Sequence, residues 1–424
     1  DVSLKPLDNG GNYAKLKCVQ PQPSPFWGEF VGKIYQTWNL GDNLLPAMTI
    51  LMKVASTCNL ACDYCYASRN FNKGNKWINK DLVSILFEQL GVSSYGRIDF
   101  DLHGGEPLTW DISDFNNFFH KQNLLKQRSN KDIVSRIQVN GTLITSRMAK
   151  YLKEMNIEVG VSLDGPQVIH DIHRQFKAGN GSFSSTIQGI GILVENDCEF
   201  EILSVVTNEL AQNVKSAFEF FSELVDTSNM LLKSINFLPS FEIDPDSRTL
   251  LSSSITPDQY VNFLIPFFDM WFENDSEDFH ISLFEEIIAV LLGGKANTCN
   301  FRRGCNGFLT LEPDGSVYPC DRFSGIQEFR LGNLFEDSLP KILASDAYKK
   351  YNERVENYPE ECLHCEWQKL CQGGCLYHAW ALNPTINEPS YYCGGLKKIF
   401  QHIEDTLIEN LDNYERYLRP ETMN

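Results

Sequence analysis

The sequence predicts an α/β protein in which an open, partial (β/α)6 barrel of parallel strands is followed by a cysteine-rich domain and a closing helix. Three observations predict this. From about residue 47, short β-rich runs alternate with longer amphipathic stretches, the pattern of parallel strands joined by crossover helices. The turns that follow successive strands carry the cysteine, glycine, asparagine and aspartate residues that barrel mouths use. From Cys299 to Cys393 the texture changes to cysteine- and glycine-rich loops.

Residues 1–46, with Pro21, Pro23 and Pro25 and little periodicity, read as an irregular N-terminal extension. The barrel is expected over residues 47–240. Its strands are expected at Thr49–Val54, Ile98–Leu102, Ile137–Val139, Glu158–Leu163, Glu201–Val206 and Ser234–Leu238. Helices are expected at Lys80–Leu90, Phe115–Leu125, Ser146–Met155, Ser185–Glu195 and Asn213–Leu224. Residues 241–296 read as a helical bridge. Asp244-Pro245-Asp246 is turn-like, and Thr256-Pro257 opens a helix through about Phe272, with Thr as N-cap and Pro in the first turn. A second helix, Ile281 to Leu292, ends at Gly293-Gly294. Residues 297–395 form the cysteine-rich domain, and 396–424 the C-terminal helix.

Composition narrows the function. The 424 residues are 42% hydrophobic and 22% charged, ordinary for a globular protein. A net charge of −18 argues against nucleic acid as partner, since that binding rests on Lys and Arg neutralising phosphates. No run approaches the roughly 18 apolar residues of a membrane span, and no charged-then-apolar signal peptide opens the chain. Eleven of the thirteen cysteines fall into cluster-like spacings, and only Cys18 and Cys198 stand alone. Grouped thiolates of this kind belong in a reducing cytoplasm rather than in secreted disulfides.

Directly after the first strand stands Cys58-x3-Cys62-x2-Cys65. Three thiolates this close can hold three irons of a four-iron cluster and leave the fourth open to a ligand, whereas fully ligated clusters use four thiolates. Zinc is the competing reading. The later block runs Cys299-x5-Cys305-x14-Cys320, then Cys362-x2-Cys365-x5-Cys371-x3-Cys375, then Cys393. Eight cysteines match two fully ligated four-iron clusters, and two zinc ions remain the alternative.

The first motif, the strand before it, and Gly104-Gly105-Glu106-Pro107 after the second strand resemble the radical S-adenosylmethionine (SAM) superfamily. The second block, with Gly315 before Cys320, resembles the SPASM domain appended to many of its members. The resemblance implies three [4Fe–4S] clusters with SAM as cosubstrate, and hydrogen-atom abstraction by a 5′-deoxyadenosyl radical. It assigns Cys58, Cys62 and Cys65 to the SAM cluster. The first auxiliary cluster takes Cys299, Cys305, Cys320 and Cys375, and the second Cys362, Cys365, Cys371 and Cys393. It places Tyr64 against the adenine, Gly104, Gly105 and Glu106 at the SAM amino group, Asn140 and Ser162 near the ribose, and Arg174 at the carboxylate. Asn140-Gly141 is equally a good turn dipeptide, and Arg174 equally able to pair with a nearby acid. His103, His170 and His173 are expected to hydrogen-bond at the barrel rim rather than to ligate metal.

Asp321, directly after Cys320, is where anaerobic sulfatase-maturating enzymes carry an acid thought to take the substrate's proton; a turn carboxylate is the structural alternative. Two substrates are expected. The favoured one is a ribosomally made precursor peptide, cross-linked through a cyclophane or ether bond. The resemblance carrying it lies in Met52 to Leu60, His103-Gly104-Gly105-Glu106-Pro107-Leu108 and Val161 to Pro166. The alternative is a sulfatase whose Cys or Ser becomes formylglycine. A flavodoxin or ferredoxin is the expected electron donor.

Overall fold

The computed structural model describes residues 47–418, apart from 71–75, 245–246, 275, 277, 303–304 and 384. The N-terminal extension, and most of the turn at Asp244-Pro245-Asp246, lie outside the described residues. Six parallel strands form the barrel: β1 (Ala47–Ala55), β2 (Arg97–Gly104), β3 (Asp132–Val139), β4 (Glu158–Ser162), β5 (Phe200–Val206) and β6 (Leu232–Pro239). The crossovers are α1 (Lys80–Gly91), α2 (Ile112–Arg128), α3 (Ser146–Glu154), α4 (Gln167–His173), α5 (Phe183–Glu195), α6 (Asn208–Gln212) and α7 (Val214–Thr227). The short α4 and α6 were not expected from the sequence.

Burial alternates strictly along β2 and β3, unlike the continuous apolar run usual for strands of a parallel sheet. Ile98, Phe100 and Leu102 face the helices, with the Phe100 ring 5.2 Å from those of Phe87 and Phe118. Their neighbours Arg97, Asp99 and Asp101 point into an open lumen, where Arg136 pairs with Glu158 at 2.5 Å and Arg97 with Asp132 at 3.1 Å. The barrel is therefore half apolar and half wet. Its inner wall leads upward to the strand ends where the motifs lie.

The bridge follows as α8 (Pro257–Phe272) and α9 (Ser282–Leu291). Thr256 and Gln259 close a capping box at the start of α8, with Pro257 at its first position, as the sequence predicts. The cysteine-rich domain does not stand apart from the barrel. Its strand β7 (Phe308–Leu311) pairs in parallel with β1, and β8 (Ser316–Tyr318) and β9 (Gly332–Asn333) continue antiparallel, giving one nine-stranded sheet. Helices α10 (Leu339–Leu343) and α11 (Asp346–Glu356) interrupt what the sequence presents as loops; Ser338 and Ser345 cap them. The final helix, α12 (Cys393–Leu418), packs back on α8 and α9, with His402 hydrogen-bonded to Asp269 at 2.5 Å.

Two contacts position the mouth. The first is a buried ion pair across the β1–β7 seam, Lys53 Nζ to Glu312 at 3.0 Å, with side chains 4% and 8% exposed. The second stitches the loop after β2 to the loop after β1: Gly105 N–H donates to Ala55 O at 2.7 Å and Glu106 N–H to Thr57 O at 2.9 Å. The strands approach so closely that a Cβ at Gly105 would be driven into the Thr57 carbonyl.

Glu312→Ala should destabilise the fold by about 3–5 kcal/mol in chemical denaturation, because it leaves Lys53 buried without its carboxylate. Lys53→Met combined with Glu312→Leu should recover much of that loss. Gly105→Ala should cost about 1–3 kcal/mol by overpacking and speed amide exchange over residues 55–60.

Candidate active site at the barrel mouth

The loop after β1 carries Cys58, Cys62 and Cys65. It is held from the far side by Ala61 N–H donating to Gln175 O at 2.8 Å. Burial pushes the Cys58 thiol up to about 11 and Cys62 to about 12, and raises Cys65 as well. Three thiols so placed resist ionising unless a strong cation arrives to share their charge, which is the chemistry of a metal cluster. The Arg174 guanidinium pulls all three the other way.

Arg174 is 7% exposed. Its Nη1 donates to Tyr64 Oη at 2.9 Å and lies 3.9 Å from Asp164. The Tyr64 hydroxyl donates in turn to Asp164, whose other oxygen accepts Val205 N–H at 2.9 Å. Tyr64 is thus locked into the loop, its ring 5.9 Å from His173. Arg174 Nε is buried with no acceptor among the described residues. A buried guanidinium N–H without a partner costs free energy, and a carboxylate beside the three thiols would satisfy it. The donor set therefore fits a SAM carboxylate at the open iron of a three-cysteine cluster.

Glu106, 1% exposed, accepts Leu108 N–H at 2.9 Å with one oxygen and Asn140 N–H at 2.7 Å with the other. Burial lifts its carboxyl to about 7. It ties the glycine loop to the turn after β3, and its second lone pairs are what it can offer an ammonium group. Asn140 Nδ2 donates to Asn59 Oδ1 at 2.8 Å and lies 3.7 Å from Cys58 Sγ, while its Oδ1 accepts Thr142 N–H at 2.9 Å. Asn140 thereby steadies Cys58. Ser162 Oγ accepts Gln138 Nε2 at 3.0 Å on the lumen wall.

The three histidines make rim hydrogen bonds, as the sequence suggests. His103 Nδ1 accepts Gly104 N–H at 2.8 Å, and His170 Nδ1 accepts Asp164 N–H at 3.3 Å. His173 sits between Asp63 at 3.0 Å and Glu209 at 2.7 Å, clamping the cysteine loop to α6. These two carboxylates outweigh burial and raise His173 to about 9.

The eight later cysteines separate into two sets. Cys299, Cys305, Cys320 and Cys375 lie close enough to raise one another's thiols beyond the effect of burial. Cys362, Cys365, Cys371 and Cys393 line a common cavity. Among the described residues no three Cys, His, Asp or Glu side chains converge on a single ion's position. Thiols spread around a cavity suit a cluster better than zinc. The turn that carries Cys299 is pinned by Glu286, fully buried on α9. Its carboxylate accepts Asn297 N–H, Thr298 N–H and the Thr298 hydroxyl at 2.5–2.6 Å. Cys198 is a buried small side chain, with Sγ 3.3 Å from Ala149 O.

Asp321 emerges where the two halves meet. The Tyr66 hydroxyl donates to it, and its other oxygen lies 3.3 Å from Cys320 Sγ. Arg322 lies 4.6 Å from the Tyr66 and Tyr377 rings and pairs with Glu242 at 2.8 Å. Burial pushes the Asp321 carboxyl up, but His103, Lys53, the Tyr66 hydroxyl and Arg322 outweigh it and hold it below the ordinary range. Burial lowers His103 itself, so Lys53 and Arg322 are the lasting cations.

Sequence reasoning missed Asp164, Tyr66, Lys53, Asp63, Glu209, Glu286 and Arg322 as parts of the site. Asp164 and Arg322 stand inside motifs already marked, in Ser162-Leu163-Asp164-Gly165 and Cys320-Asp321-Arg322. A lysine in the middle of an apolar strand, Met52-Lys53-Val54, was a legible signal for a buried pair. Glu286 and Glu209 gave none.

Residues 52–221 match the radical SAM superfamily, and residues 299–366 the SPASM iron-sulfur cluster-binding domain. The cysteine-type anaerobic sulfatase-maturating enzyme of Clostridium perfringens is 30% identical over 379 residues, spanning 87% of this chain and 100% of that enzyme. The serine-type enzyme of Bacteroides thetaiotaomicron is 30% identical over 401 residues, 89% of this chain and 92% of that one. The structure of native anSMEcpe with bound AdoMet and Cp18Cys peptide superposes with a TM-score of 0.76 at 28% identity, covering 87% of this chain and all of that one. Among the described residues no helix is long and apolar enough to cross a membrane. With the first cysteine loop and Asp321 meeting at the barrel mouth, these matches show that the chain belongs to the radical SAM superfamily, as a SPASM-domain enzyme whose cofactors are three [4Fe–4S] clusters and SAM.

Proposed function

We propose that this enzyme oxidises a cysteine or serine side chain of a protein substrate to formylglycine. The observation that carries the reading is Asp321, a carboxylate held by Tyr66 at the junction of barrel and cysteine-rich domain, beside the first auxiliary cysteine set. The sulfatase-maturating relatives support it, and they reverse the order in which the sequence ranked the two substrates.

When bound and reduced, the SAM cluster with SAM supplies a 5′-deoxyadenosyl radical that takes a hydrogen atom from the substrate β-carbon. The residues of this chain do the rest. Arg174, the Gly104-Gly105-Glu106 loop, Asn140, Ser162 and Tyr64 would hold SAM against the cluster loop. His173 keeps that loop docked through Asp63 and Glu209. Asp321 accepts the proton of the substrate thiol or hydroxyl as the β-carbon is oxidised. Cys299, Cys305, Cys320 and Cys375 would hold a fully ligated cluster beside Asp321, with no open iron for substrate, and that cluster would supply an acceptor for the remaining electron. A hydrogen atom, a proton and an electron together make the two-electron oxidation to the thioaldehyde or aldehyde, and in the cysteine case water then hydrolyses the thioaldehyde to the aldehyde with release of hydrogen sulfide. The working compartment is a reducing cytoplasm, with a flavodoxin or ferredoxin as electron donor.

Incubating the reduced, reconstituted enzyme with SAM and a cysteine-type sulfatase peptide should yield an aldehyde that a hydrazide reagent captures. A peptide that loses only two hydrogens and forms an internal bond would instead restore the cross-linking reading. Cys65→Ala should abolish 5′-deoxyadenosine formation and reduce bound iron from about twelve to about eight per chain. Asp321→Asn should leave 5′-deoxyadenosine measurable while lowering product by about 10²–10⁴-fold, the usual weight of a positioned proton acceptor. Unchanged product would make Asp321 structural.

A further inference from the structure

The two auxiliary cysteine sets differ in what lies beside them. Asp321 is 3.3 Å from Cys320 in the first set, where Arg302, Arg322 and Arg354 also act on Cys299, Cys375 and Cys305. The cavity of Cys362, Cys365, Cys371 and Cys393 has no such acid in its wall. It has Ser390 and Lys397 instead. Ser390 is 5% exposed, and its hydroxyl has no partner among the described residues. Its place is deliberate in packing terms. Gly374, at φ +70°, passes so close that an added Cβ would fall 2.8 Å from Ser390 Cβ and 3.4 Å from its Oγ. Lys397 lies on the first turns of α12, exposed to solvent, and lines the same cavity.

A buried hydroxyl without an acceptor needs one. The cavity it lines offers the sulfurs of four cysteines, with Gln368 as the other side-chain acceptor. Hydrogen bonds to cluster sulfurs and nearby positive charge both favour the reduced, more negative cluster, and so raise its potential. On the reading of this cavity as the second auxiliary site, we propose that Ser390 and Lys397 donate hydrogen bonds to the sulfurs there and raise the potential of the cluster it would hold.

The test is an EPR-monitored potentiometric titration of the fully reconstituted chain. The SAM cluster is recognised by its response to SAM, and the cavity's wave by its loss in Cys371→Ala. Ser390→Ala and Lys397→Gln should each shift that wave downward by a factor of about ten in the reduction equilibrium, about 59 mV for one electron. The wave of the other auxiliary set should stay in place, and Ser390→Thr should restore the wild-type value. Unshifted waves in both variants at full iron content overturn the proposal. If Ser390→Ala fails to assemble the cluster, Lys397→Gln, a change at an exposed side chain, decides alone. If Cys371→Ala removes no wave, the cavity is not a cluster site, and the fault lies in that reading rather than in the roles of Ser390 and Lys397.

Discussion

The parallel pairing of β7 with β1 is the contact on which the site depends. It fixes where the hairpin β7–β8 delivers Cys320 and Asp321, because only a few residues separate Leu311 from them along the hairpin. The same seam places Lys53 under Tyr66, 5.6 Å from its ring, and opposite Glu312. A one-residue slip of register would turn Lys53 and its neighbours to the opposite face. It would carry the lysine into the apolar layer between sheet and helices, so the buried ion pair guards the register as well as contributing charge. A buried pair of this kind adds little net stability. Its value lies in specifying one alignment of the two halves, and hence one distance between the SAM-binding loop and Asp321.

Charge is the second constraint. Eleven thiols sit in or beside protein interior, and burial works against ionising those whose shifts are resolved. Fewer cations than thiols lie close to them. Arg174 serves the first loop, Arg302 and Arg322 reach Cys299 and Cys375, Arg354 reaches Cys305 and Cys362, and Lys397 serves the outer cavity. That economy leaves the bulk of the neutralisation to iron. It also explains why an acidic protein can contain so many thiolate ligands: the compensating charge travels with the cofactor rather than with the sequence.

Legibility followed the range of the interaction. The six barrel strands, the principal crossover helices and the capped start of α8 were readable, because each is set by local periodicity or by a cap within three or four residues. The cysteine groupings were readable only through family resemblance. Spacing alone does not say that Cys375 leaves its neighbours Cys371 and Cys365 to join Cys299, and the structure places it there by turning the chain through Gly373 and Gly374. What stayed hidden was the chemistry made by distant pairs. Asp164 meets Tyr64 across a hundred positions, Glu209 meets His173 from another crossover, and Asp321 meets Tyr66 from another domain. None of these carries a local signature.

Tyr66 shows how far such a pair can shape the reaction. Its hydroxyl donates to Asp321, its ring packs against the Arg322 guanidinium at 4.6 Å, and it follows directly on Cys65. One side chain therefore touches Asp321 while its backbone belongs to the loop of the first three cysteines. Any shift of that loop on SAM binding moves the phenol, and with it the hydrogen bond that orients the Asp321 carboxylate. Arg322, anchored to Glu242 and to the Phe241 carbonyl, limits the movement from the other side. Asp321 is thus aligned by the loop that carries Cys58, Cys62 and Cys65. On the proposed function, hydrogen abstraction and deprotonation at adjacent atoms of one substrate side chain would be brought into register by a single residue.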